Sequence, residues 1–242
     1  GGNMELDAIA FRNLEILKNN AEGKKYGSLL WLLDQTKTGM GARKLVSMLS
    51  APLCSRAEIE RRLDAVEELY KGTVIRMGLA DMLSGVRDIE RLTGRVSNGN
   101  LQPRDCLSLA GSLSVVPNLK FQLTGFSSTL IHEIADDLID PMPVVKLLES
   151  AIAPEATTLK EGNFIRRGYN EQLDELRAVK DDGKSLVLEL ETREREKTGI
   201  RTLKVGYNRV FGYYIEVTNS FKDRVPYSYV PKQTLANGVR YT

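Results

Sequence analysis

The sequence predicts a mainly α fold, with a multi-helix core and a long helix leading to a small antiparallel β module near the C-terminal end. Three observations predict it. From Leu6 to Leu190 apolar residues recur at three- and four-residue steps, separated by caps and stops, which is the pattern of amphipathic helices. From Leu203 the step shortens to two: Leu203, Val205 and Tyr207 alternate with Lys204, Gly206 and Asn208, and Tyr213, Ile215 and Val217 alternate with Tyr214, Glu216 and Thr218. Charge changes at the same place. From Ile200 onward Arg201, Lys204, Arg209, Lys222, Arg224, Lys232 and Arg240 stand against Glu216 and Asp223, so this tail carries 7 − 2 = +5. The whole chain is 34 − 32 = +2, which leaves −3 for everything before it.

The elements follow in order. Residues 5–19 place Leu6, Ile9, Ala10, Leu14 and Leu17 on one helical face. An apolar cluster, Leu29 to Leu33 with Trp31 at its centre, reads as core; a break at Thr38 to Gly41 follows, then Leu45, Val46 and Leu49 before Pro52 ends the helix. Ser55 with Glu58 three residues on has capping-box spacing, and Ile59, Leu63, Val66 and Leu69 then run to Gly72. Residues 74–86 and 88–100 predict two more helices, the second ended by Asn98-Gly99. Pro103 opens a helix over 101–113 and Pro117 ends it, with further short helices over 127–139 and 144–152.

Residues 161–169 read as irregular, and Asn170 caps a long helical run. Leu173, Leu176 and Val179 form its first apolar stripe, and Leu186, Val187 and Leu190 its second. Asp181-Asp182-Gly183 predicts a bend or a domain boundary between them, since glycine in an exposed helix costs about 1 kcal/mol relative to alanine. We therefore expect a helical domain over 1–183 and a second over 184–242. In the tail, Asn208-Arg209 predicts a hairpin turn, with left-handed backbone at Asn208 and a bulge at Gly212.

Composition excludes several function classes. There is no run of eighteen apolar residues and no basic-then-apolar leader at GGNMELDAIA, which predicts a soluble, cytoplasmic protein. Cys54 and Cys106 stand far apart with no CxxC, so they read as reduced and buried rather than metal-binding. His132, the only histidine, lies on an amphipathic helix and reads as structural. The glycines at 39 and 41 follow no strand and precede no Gly-Lys-Ser/Thr, so they are not a P-loop. No paired-carboxylate, Ser-His or metal-spaced constellation marks an enzyme. The basic tail instead suits a phosphate backbone, with a merely solvated charged face as the alternative.

The string LKVGYNRVFGYYIEVTNS, followed by VPYSYVPKQTLANGVRYT, resembles the clamp segment of the MutS family of mismatch-recognition ATPases, whose members carry a KQTL-x-NAERY-like run. Upstream, LDAIAFRNLEIL, SLLWLLDQTKTGMGARKL, RLDAVEEL, DIERLTGRV, PRDCLSL and GYNEQLDELR resemble that family's lever (core) segments in the same order. There are departures. Ala236 stands where a Lys is often found, Gly238-Val239 where Ala-Glu is usual, Ala10 where Thr is common and Met48 where Trp is common.

The resemblance implies a piece of a modular protein. The mismatch-reading domain, the connector, the returning lever helix and the ATPase would lie elsewhere, so the chain itself would hydrolyse no ATP and hold no cofactor. ATP and magnesium would belong to the full-length protein. The clamp would touch double-stranded DNA without reading bases, and the mismatch would be recognised only in the full-length context. A homodimer, a MutL-type partner and an association with the bacterial nucleoid are likewise implied. By motif position Lys232, Gln233, Asn237 and Arg240 would contact DNA, with Lys204, Asn208 and Arg209 added on charge and turn exposure. Asn237 as a helix cap, Gln233 as a satisfier of a strand edge, and Tyr213 and Tyr214 as sheet packing stand as structural alternatives. Two rival functions stay open, a helical protein-interaction scaffold and a family paralogue that binds DNA junctions. The stripe Leu173, Leu176, Val179, Leu186 and Leu190 is expected to be exposed and to drive self-association.

Overall fold

In a computed structural model of the chain, residues 2–242 are described, and they form two compact units that divide between Arg166 and Arg167. The first unit is helical: α1 (Ala8–Asn13), α2 (Leu29–Leu33), α3 (Gly39–Ser50), α4 (Arg56–Lys71), α5 (Thr73–Ser84), α6 (Ile89–Asn98), α7 (Pro103–Leu113), α8 (Val116–Leu123), α9 (Thr129–Asp137) and α10 (Met142–Ala151). The second holds α11 (Glu171–Thr198), β1 (Lys204–Asn208), β2 (Gly212–Thr218), a 3₁₀ turn (Asn219–Arg224), β3 (Pro231–Thr234) and β4 (Gly238–Tyr241). The mainly α class with a small antiparallel sheet after a long helix is the one the periodicity predicts.

Side-chain caps set most helix starts in the first unit. Ser28, Thr38, Ser55, Asp88 and Ser128 each accept a backbone N–H from the first turn, satisfying donors that no helical carbonyl can reach. Pro103 opens α7, and Asp105 completes a capping box with Gln102. Gly99, left-handed at φ 70°, ends α6. Two apolar clusters hold the unit: Ala65, Leu79, Phe126 and Ile131 across α4, α5 and α9, and Ile152, Ala153 and Ala156 against Cys106 and Phe164. His132 Nε2 lies against the Phe126 carbonyl, a local structural contact.

Several expectations differ from the fold. The first helix stops at Asn13 because Glu15 turns left-handed at φ 47°, with its carboxylate accepting the Asn20 N–H at 2.8 Å. Trp31 is 45% exposed, packed edge-on to Tyr26, and only Leu30 of its cluster is buried. Cys54 is exposed, at the end of the irregular stretch between α3 and α4. Pro117 does not merely end a helix; it sits in the first turn of α8, where its missing N–H would have had no partner.

The second unit has its own core. Ile200, Leu203, Val217, Val239 and Tyr241 are buried together, flanked by Val205, Ile215, Phe221, Val225 and Tyr229. Asn170 caps α11 at its start and left-handed Gly199 ends it, with no interruption at Gly183. The expected break is absent because a single glycine costs about 1 kcal/mol, and favourable residues throughout a 28-residue helix outweigh that. Leu176, Val179, Leu186 and Leu188 are exposed along α11, while Leu173 and Leu190 are half-buried. The predicted strip is thus largely uncovered.

Candidate nucleic-acid interface

The sheet runs β1-β2-β4-β3, antiparallel throughout. Because side chains alternate along each strand, one face takes Leu203, Val205, Ile215, Val217, Val239 and Tyr241 into the core, and the other is left open. Register decides what meets on the open face. Lys204 pairs with Glu216, Glu216 with Arg240, and Arg240 with Gln233, so one row of polar side chains crosses all four strands.

Arg240 is the hub of that row. Its Nε donates to Glu216 Oε1 at 3.0 Å and its Nη1 donates to Gln233 Oε1 at 3.1 Å. The guanidinium also stacks on Tyr214, 4.5 Å from the ring centroid. The next position on β1, opposite Tyr214, must be small. A Cβ at Gly206 would lie 2.5 Å from the Tyr214 Cζ and hydroxyl, so the ring rests directly on the glycine backbone. Gly206, Tyr214 and Arg240 thus form a stack that fixes the guanidinium, as a rigid donor for a planar or tetrahedral oxyanion requires.

The remaining candidates fall into three groups. Lys232 is exposed in the β-bulge between Pro231 and Gln233, on an edge strand where proline, bulge and lysine together discourage pairing with another chain. Asn237 is exposed in the β3–β4 turn, its carbonyl accepting the Asn219 N–H at 3.0 Å. It borders a depression of about 270 Å³ that Glu216, Thr218 and Gly238 also line. Gly238 allows the close approach of β4 to β2, since a Cβ there would lie 2.5 Å from the Val217 carbonyl.

Asn208 and Arg209 are not brought to the row. Asn208 lies four residues farther along β1, roughly 13 Å from Lys204 at strand rise, and Arg209 follows just past the strand's end. Asn208 does not turn left-handed; its Oδ1 accepts from Val210 N at 3.0 Å and Phe211 N at 2.7 Å, and Gly212 supplies the left-handed residue at φ 74°. Asn208 therefore builds the turn, and Arg209 is exposed at its tip. Among the described residues Arg240 is the one tail cation in an ion pair, so Lys204, Arg209 and Lys232, with Arg201, Lys222 and Arg224, stay uncompensated.

The last turns of α11 grip the sheet. Glu191 accepts the outward Val205 N–H at 3.1 Å, Arg195 Nε donates to the Leu203 carbonyl at 2.7 Å, and the Tyr229 hydroxyl donates to Glu194. These three residues lie on one helical face; Glu191 and Arg195 hold the start of β1, and Glu194 holds Tyr229. Burial pushes the Tyr229 hydroxyl well above its ordinary value, and the Glu194 charge adds to the shift. Glu216 and Gly206 are not among the residues that the sequence points to as an interface, and Tyr214 reads there as sheet packing. The signal was present, because the period-two alternation puts all three on the face of Lys204.

A comparison with protein families matches residues 9–222 to the model described as MutS domain III. Among curated proteins, the one from Caldanaerobacter subterraneus subsp. tengcongensis is 47% identical over 239 residues, 98% of this chain and 28% of its own length. That from Myxococcus xanthus is 46% identical over 242 residues, all of this chain and 27% of its own. That from Methanothrix thermoacetophila is 43% identical over 244 residues, 98% of this chain and 28% of its own. Each is described as DNA mismatch repair protein MutS, and the chain spans just over a quarter of their lengths. No helix among the described residues is long and apolar enough to cross a membrane. With the domain III match over most of its length and relatives this similar from end to end, the chain belongs to the MutS mismatch-repair family.

Proposed function

We propose that the second unit is a DNA clamp, whose open sheet face contacts the phosphate backbone of a duplex without reading bases. The observation that carries this is the row Lys204, Glu216, Arg240 and Gln233 across the sheet, with exposed Lys232 and Asn237 beside it. Guanidinium, ammonium and amide donors suit phosphate oxygens, and contacts made to phosphate carry no sequence information. Affinity should then fall steeply with salt and be equal on matched and mismatched duplex.

In this reading α11 is the lever that carries the clamp. Glu191, Glu194 and Arg195 tie its last turns to β1 and Tyr229, so a displacement of the helix end moves the sheet edge with it. In the whole protein the lever would couple the clamp to an ATPase that uses ATP and magnesium, within a homodimer that also engages a MutL-type partner. Coupling of that kind is a free energy shared by two sites and acts in both directions.

The test is fluorescence anisotropy of a random-sequence duplex, matched or carrying one mispair, at rising salt. The clamp reading expects binding that weakens with salt, equal on the two duplexes, and weakened further by Lys232→Ala. Salt-insensitive binding, or a preference for the mispair by this chain alone, would contradict it. Absence of binding at low salt would favour the protein-interaction scaffold.

A further inference from the structure

Among the described residues Glu216 is the only acidic side chain on the open face of the sheet, and it stands between the two cations of the row. Lys204 is its partner in register on β1 and Arg240 its partner on β4. Its Oε1 takes the Arg240 Nε–H at 3.0 Å, and the pair is half-buried, with 25% of the arginine side chain and 30% of the glutamate exposed. Gln233 takes an Nη1–H of the same guanidinium, and Tyr214 covers its face. The carboxylate therefore occupies, for Arg240, the role that a phosphate oxygen would take in a complex. Both are oxyanions, and both prefer the in-plane N–H donors of guanidinium.

Resting on the clamp reading, we propose that Glu216 is a built-in competitor for the DNA phosphate. It holds Arg240 in a self-paired state, which a duplex must open before Arg240 contributes to binding. Two consequences follow. The face carries a smaller effective charge than its cation count suggests, because the carboxylate neutralises one of the row's two cations until it is displaced. Contact also becomes an exchange of one charge-assisted pair for another, which keeps the clamp weak and quickly reversible. The stack of Gly206, Tyr214 and Arg240 fits the exchange, because it keeps the guanidinium plane in place while its edge changes partner.

The experiment is a cycle of Glu216→Gln and Arg240→Ala, each alone and together, in duplex binding by this chain at several salt concentrations. Glutamine keeps the shape of the site and removes the charge. Partly exposed ion pairs are worth about 0–1 kcal/mol, so Glu216→Gln is expected to tighten binding by up to about fivefold. It should also steepen the salt dependence by about one counterion. The gain should shrink to under about twofold in the Arg240→Ala background. An unchanged affinity in Glu216→Gln, or an equal gain with and without Arg240, would overturn the competitor role while leaving the clamp reading in place, provided Lys232→Ala still weakens binding. If Lys232→Ala has no effect and no variant binds with salt dependence, the clamp reading falls and this inference with it.

A second measurement needs no substitution. The Arg240 Nε–H resonance, followed by NMR as duplex is added to the unaltered chain, should shift with the same midpoint as binding. A resonance that stays still through saturation would overturn the exchange.

Discussion

Replacing Leu203 by alanine removes the centre of the second unit's core. Leu203 is 0% exposed and packs with Ile200, Val217, Val239 and Tyr241, at the point where the chain leaves α11 and enters β1. The lost transfer free energy of a buried leucine is about 1.5–3 kcal/mol, and the cavity left behind brings Leu→Ala changes to roughly 2–5 kcal/mol. The upper half of that range applies, since Leu203 is fully buried among Ile200, Val217, Val239 and Tyr241. Small domains have total stabilities of about 5 kcal/mol at the low end, so the variant should sit near its midpoint at ambient temperature. Urea titration followed by the ring NMR signals of Tyr229 and Tyr241, whose centroids lie 5.9 Å apart, reports this unit alone. Leu188→Ala on α11 is the control. That side chain is 64% exposed, and its loss should change stability by less than about 0.5 kcal/mol. A Leu203→Ala effect under about 1 kcal/mol, or one equal to the control, would refute the core assignment.

Three further predictions concern the polar framework. Asp105 is buried; desolvation alone would raise its carboxyl, but the Gln102 N–H and the Arg95 guanidinium outweigh it and hold the value below the usual range. Asp105→Ala leaves both donors without their acceptor and should destabilise the first unit by about 1–3 kcal/mol in thermal melts. Asp88, gripped by both Arg43 terminal nitrogens at 2.7 and 2.9 Å, is held down to about 2. A depressed carboxylate stabilises above its unfolded value of about 4 and loses that contribution as pH falls toward 2. The acid limb of a stability–pH curve should therefore flatten between those values in Asp88→Asn. Tyr229→Phe removes the hydrogen bond to Glu194 and should cost about 1 kcal/mol at neutral pH. Since the hydroxyl is pushed up, that contribution is present below about pH 10 and fades above it, so wild type and variant should converge in alkaline denaturation.

Much of the fold could be read from local chemistry. Ser55, Asn170, Pro103, Gly99 and Gly199 announce helix ends because capping is settled within a turn of the chain. The failures have a common cause in tertiary or backbone choices that side-chain pattern does not encode. Glu15 breaks an otherwise suitable helical stripe, and Trp31 looks like core but lies half outside. Gly183 signals a break that the surrounding helix overrides. In the sheet, alternation alone assigns the two faces, but it does not say that Glu216 meets Arg240. That pairing depends on β2 lying beside β4 rather than β3, and on a bulge at Lys232 that brings Gln233 into the row. Long-range register of this kind is invisible to a pattern read strand by strand.

The most direct test of the clamp account is the slope of log affinity against log salt for a random duplex. It should be compared between the unaltered chain and the Lys232→Ala, Arg240→Ala double variant. Each phosphate contact contributes about 0.9 to that slope on B-form DNA, so loss of both side chains should flatten it by nearly two, equally on matched and mismatched duplex. An unchanged slope in the double variant would contradict the account, because it would place the charge that meets DNA somewhere other than the open face of this sheet.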